Sequence, residues 1–105
     1  MTVGTLQYSS VNTQDIGAGD FTITGATDKY QNWDPAGSAR TVDLLYVDTS
    51  ETGVTTSLGD IWIRNTADAA EAITIRDGNN SDAAVCVIEQ NLQAHVRWNG
   101  SNWTS

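Results

Sequence analysis

Leu92-Gln93-Ala94-His95-Val96-Arg97-Trp98 decides the fold class of this chain. Leu92, Ala94, Val96 and Trp98 are apolar, and the polar Gln93, His95 and Arg97 stand between them. Successive side chains of a strand point to opposite faces, so a period of two marks a strand with one buried face. The same rhythm recurs upstream: Ile61 and Ile63 alternate with Asp60, Trp62 and Arg64, and Ile73 and Ile75 with Thr74 and Arg76. In Val42-Asp43-Leu44-Leu45-Tyr46-Val47 both faces are largely apolar, which predicts a central strand. Residues 83–89 are mostly apolar, and Phe21-Thr22-Ile23-Thr24 predicts a short further strand.

The segments between these runs carry turn chemistry. Asp77-Gly78-Asn79-Asn80-Ser81 and Asn99-Gly100-Ser101-Asn102 each lie between two strands and read as hairpin loops, and Asp34-Pro35-Ala36-Gly37 marks a bend. The one stretch with helical composition, Ala67-Asp68-Ala69-Ala70-Glu71, is too short for more than a turn. Six to eight strands at frequent intervals predict an all-β, antiparallel β-sandwich or jelly-roll-like domain. Residues 1–20 differ. Leu6 and Tyr8 suggest a strand, but Val11 and Ile16 stand alone in a polar run, so the segment reads as an extended N-terminal arm ahead of a β-sandwich domain over residues 21–105. The pattern shows no internal repeat.

At 105 residues the chain has room for one core. Its hydrophobic fraction is 39%, and Ser, Thr, Asn, Asp and Gly replace the residues that build surface helices. A core this small gains from a partner surface or from self-association. The formal charge is −8, and the five cations, Lys29, Arg40, Arg64, Arg76 and Arg97, are spread along the chain. A surface that tracks phosphates needs a local excess of Lys and Arg, so direct nucleic-acid binding is not expected, nor is a polybasic membrane patch. No apolar run has bilayer-spanning length, and the start has neither the charged nor the apolar region of a signal peptide. Cys86 is the sole cysteine; it sits in an apolar run and reads as a buried small hydrophobe in a protein folded in reducing cytosol.

No arrangement of residues points to catalysis, a cofactor or a metal. His95 is the only histidine, on the polar side of its strand, and no nucleophile elbow accompanies it. Metal sites usually gather several His or Cys ligands, and this chain has one of each. Asp77-Gly78-Asn79-Asn80-Ser81-Asp82 has the oxygen spacing of a calcium loop at its start, but Asp82 stands where glycine belongs and Ile88 where the bidentate Glu belongs, so a hairpin loop is the stronger reading. Four tryptophans are many for this length. Trp98 falls on the apolar face. Trp62 falls opposite Ile61 and Ile63, either under a second layer or at an interface, and Trp33 sits by sequence on a loop beside Asn32 and Asp34, where an aromatic ring could stack on a sugar or anchor a protein contact. The expected interface residues are Leu6, Tyr8, Val11, Ile16, Trp33 and Trp62.

Residues 59–104 carry a resemblance. Asn65-Thr66 leads into Ile73-Thr74-Ile75-Arg76-Asp77-Gly78, and the chain closes on Trp98-Asn99-Gly100-Ser101-Asn102-Trp103. This resembles small β-rich virion proteins of tailed bacteriophages, in which such a hairpin precedes a strand ending in an aromatic-x-Gly-x-x-Trp motif. The resemblance implies a structural, non-enzymatic protein, often trimeric. A chain of this size with an N-terminal arm looks most like a capsid decoration, or cement, protein. The implied partners are the major capsid protein and two further copies of itself, on the outer surface of a head assembled in the host cytoplasm. Tail-fibre and appendage modules close with similar runs, and a lectin-like carbohydrate-binding domain using Trp33 is the alternative from another class.

Overall fold

The computed structural model describes residues 11–23 and 28–105. Among them every regular element is a strand: β1 (Val11–Asp15), β2 (Tyr30–Asp34), β3 (Arg40–Tyr46), β4 (Val54–Thr56), β5 (Asp60–Asn65), β6 (Ile73–Asp77), β7 (Ala83–Ile88), β8 (Gln93–Trp98) and β9 (Trp103–Thr104). They form two sheets, a five-stranded one in the order β1-β2-β5-β8-β9 and a four-stranded one in the order β4-β3-β6-β7. The all-β class follows the sequence pattern. The expected antiparallel arrangement does not hold, because both sheets are mixed: β1, β2 and β5 run parallel, as do β4, β3 and β6, while β7, β8 and β9 join antiparallel.

The parallel pairs arise from the path of the chain. It passes from the first sheet to the second between β2 and β3, returns, and makes the same passage between β5 and β6. The second passage lies on the first, with Gln31 beside Ile63, an offset of 32 residues, and Val42 beside Ile75, an offset of 33. This is two stacked coils, a structural repeat that residue identities do not show. Asp77 to Asp82 then reverses the chain, so β7 returns along β6, and β8 closes on β5. The hairpins expected at residues 77–81 and 99–102 are the β6–β7 and β8–β9 connections.

The inward side chains of both sheets form one core, including Trp33, Val42, Leu44, Ile61, Ile63, Ile73, Ile75, Ile88 and Val96. Tyr46 of the second sheet stacks on Trp98 at 5.3 Å, with Trp103 edge-on to both, and this aromatic cluster spans the two sheets. β3 is central, as its apolar faces predict, and its outward Leu45 is buried under the connections that carry Gly53 and Gly78. A Cβ on Gly53 would lie 2.5 Å from the Asp43 carbonyl oxygen, so only glycine fits that crossing.

Several buried side-chain amides are paired within the domain. Asn65, fully buried, donates from Nδ2 to the carbonyls of Glu71 (2.7 Å) and Ile88 (2.9 Å), and its Oδ1 accepts from the Ala67 amide. Asn12 and Gln31, side by side in β1 and β2, are joined by an amide–amide bond of 2.7 Å. Unpaired, such groups would each cost about 1–3 kcal/mol.

Of the segment expected as an arm, residues 1–10 lie outside the described residues, and the structure places part of the remainder in the sheet. Val11–Asp15 pairs in parallel with β2, and Ile16 is buried in the core, so residues 11–16 belong to the domain. Asn12 explains why sequence missed it: the inward position of β1 carries an amide in place of an apolar side chain. Phe21 to Ile23, expected to begin a strand, is not one, although Ile23 is buried. Leu6 and Tyr8 lie outside the described residues.

Candidate binding face

The outward side of the five-stranded sheet gathers the chemistry that the sequence scatters. Parallel pairing of β1, β2 and β5 and antiparallel pairing of β5 and β8 place Val11, Tyr30, Trp62 and His95 in one row across four strands. Val11 is 54% and Tyr30 38% exposed, and Trp62 is half-buried. The Trp62 and His95 rings stack with centroids 4.3 Å apart and planes 3° from parallel. Neighbouring strands lie about 4.8 Å apart, so rings stacked across that gap stand upright and present their edges to solvent.

Asp60, at the start of β5, holds this row from one side. Its carboxylate is hydrogen-bonded to His95 Nε2 and pairs with Lys29 Nζ at 3.4 Å. The hydrogen bond to His95 is the main cause that keeps the Asp60 carboxyl below the ordinary aspartate range; slight burial opposes it, and the charges of His95 and Lys29 assist.

Arg97 faces Asp60 across the β5–β8 pair, and Arg64 lies beyond Trp62, between Asn32 and Gln93. Both arginines are exposed, and among the described residues neither has an ion-pair partner. The other two cations are engaged elsewhere. Arg76 grips Asp43 through two bonds of 2.5 and 2.8 Å, and Arg40 donates to the Pro35 and Ala36 carbonyls. Three of the five cations thus meet on one face, which their even spread in sequence did not suggest.

The structure divides the expected interface residues. Trp62 and Val11 lie together on this face. Trp33 does not: it is an inward residue of β2, fully buried, with its indole N–H donating to Gln31 and Phe21 edge-on against its ring. A loop position next to Asp34-Pro35 hid the last inward position of a strand. Ile16 is core, and Leu6 and Tyr8 are not among the described residues. Sequence reasoning passed over Tyr30, Asp60 and Arg97, which only cross-strand register brings to the row.

His95 hydrogen-bonds Asp60, and no hydroxyl or thiol bonds to it among the described residues. The buried Asp77 carboxylate accepts from the Asn79 amide, the Asn80 side chain and the Trp103 amide, so the loop that resembles the start of a calcium site spends that carboxylate on its own chain. Among the described residues no three His, Cys, Asp or Glu are grouped to hold a metal. An open polar depression between Glu51, Gly78 and Asp82 lies apart from the row. Cys86 is half-buried, and burial pushes its thiol up. In comparisons with known proteins, no family model, no curated protein and no solved structure matches this chain.

Proposed function

We propose that this protein is a non-enzymatic decoration protein of a tailed-bacteriophage head, which binds the outer surface of the shell and clamps neighbouring capsomers. The observation that carries the reading is the outward row Val11–Tyr30–Trp62–His95, aromatic in large part and partly exposed on one side of the five-stranded sheet. Aromatic side chains of this kind anchor protein interfaces by burying large areas at low entropic cost. The resemblance of residues 59–104 to phage virion proteins supports the setting. In this reading the two sheets pack as a sandwich, Leu6 and Tyr8 extend the contact from an N-terminal arm, and a homotrimer made in the host cytoplasm places three copies of the row on the shell, so that multivalency offsets weak single contacts.

The experiment is co-sedimentation of purified protein with heads that lack it. Saturable binding to heads and not to tails supports the reading; binding to tails alone would shift it to an appendage module, a reading that the stacked coils favour because such a winding extends by repetition. The lectin-like alternative loses its basis in Trp33, whose ring is buried.

A further inference from the structure

We infer that the β5–β8 half of this face recognises carboxylates of an acidic protein segment; this deepens the reading above and rests on the same face. The chain carries −8 overall, yet Lys29, Arg64 and Arg97 converge around the Trp62–His95 stack, with Asp60 as the acid among them. Lys29 answers Asp60, which leaves Arg64 and Arg97 exposed on either side of the stack without an ion pair among the described residues. Asp15 and Asp34, paired at the corner of β1 and β2, are the acids of the same sheet that limit the footprint to its other half.

Ring orientation selects the ligand class. A sugar packs its C–H face on an open aromatic face, but one Trp62 face is covered by His95 and the rings stand edge-out. The edge of an aromatic ring is the positive part of its quadrupole, so it favours an anion. Arg64 and Arg97 lie two outward rows apart, about 14 Å along the strands, close to the reach between residues i and i+4 of an extended segment. Guanidinium groups bind carboxylates through paired hydrogen bonds. A nucleic acid fits poorly, since a uniform polyanion would meet the acidic remainder of the chain wherever it left this half-face.

Binding of poly-L-glutamate to the full chain tests the inference, with polygalacturonate and oligo(dT) as comparison anions. The expected result is preferential binding of poly-L-glutamate, weakened at least about tenfold between low and physiological salt and lost in Arg64→Glu/Arg97→Glu while circular dichroism is unchanged. The milder Arg64→Gln/Arg97→Gln pair should lose binding partially. No binding, tighter binding of either comparison anion, or binding indifferent to both pairs of substitutions overturns it. Heads separate the two readings: wild type and Arg64→Glu/Arg97→Glu binding heads equally overturns this inference and leaves the decoration reading standing. Poly-L-glutamate binding without head binding does the reverse.

Discussion

The Trp62 indole and the His95 imidazole lie face to face across β5 and β8, 4.3 Å between ring centroids. Trp62 is thereby fixed upright on an outward face, where it adds little to the core and is placed for contact. Trp62→Ala is expected to change unfolding free energy by about 1 kcal/mol or less and to weaken head binding at least about tenfold, the loss of a central aromatic anchor. Trp33→Ala should do the opposite damage, costing about 3–5 kcal/mol of stability because it empties a fully buried site. Urea titration and co-sedimentation of the two variants check both expectations.

Asn65 supplies three hydrogen bonds at the turn of the second coil. Asn65→Ala leaves two carbonyls and one amide without these partners and is expected to cost about 2–4 kcal/mol. Asn65→Asp should also destabilise, since a carboxylate cannot donate to the Glu71 and Ile88 carbonyls. Chemical denaturation measures both.

The class of fold was legible in the sequence because inward Ile and Val residues mark strands wherever a face is buried. Ile61, Ile63, Ile73 and Ile75 stand on the strands that the alternation predicted. Strand direction was not legible. Period two is the same for parallel and antiparallel neighbours, and the stacking of β2–β3 on β5–β6 pairs unlike residues, Gln31 with Ile63 and Leu44 with Asp77. β1 was hidden because Asn12 occupies an inward position through a bond to Gln31 that exists only once the two strands are paired. For the face, the outward parity of Trp62 and His95 could be read, but the convergence of Lys29, Asp60, Arg64 and Arg97 depends on register between segments about thirty residues apart.

Stability should depend on pH through Asp60. Its folded pKa is depressed, so it contributes stability above its unfolded pKa, and that contribution is lost as pH falls through the lower folded value. Asp60→Asn should therefore melt below wild type at neutral pH, and the two should converge in acid, beneath the ordinary aspartate range. The gap will be small, because Asp60 is half-exposed and solvent screens its pairs. Thermal melts across that range check it; a gap that does not shrink in acid contradicts the assignment.

Gly53→Ala places a methyl group against the Asp43 carbonyl and the Leu45 side chain, where the β3–β4 connection crosses β3. The expected cost is about 1–3 kcal/mol, with head binding preserved in the folded fraction, since the crossing belongs to the four-stranded sheet. Denaturation and co-sedimentation of this variant separate damage to the fold from damage to the face.

Whether the chain decorates heads through this face is read directly by a cryo-EM reconstruction of heads incubated with the purified chain. Density for the protein is expected on the outer shell, with the Val11–Tyr30–Trp62–His95 row turned toward the capsid surface. Density in which that row faces solvent, or heads that remain bare at saturating protein, would contradict it.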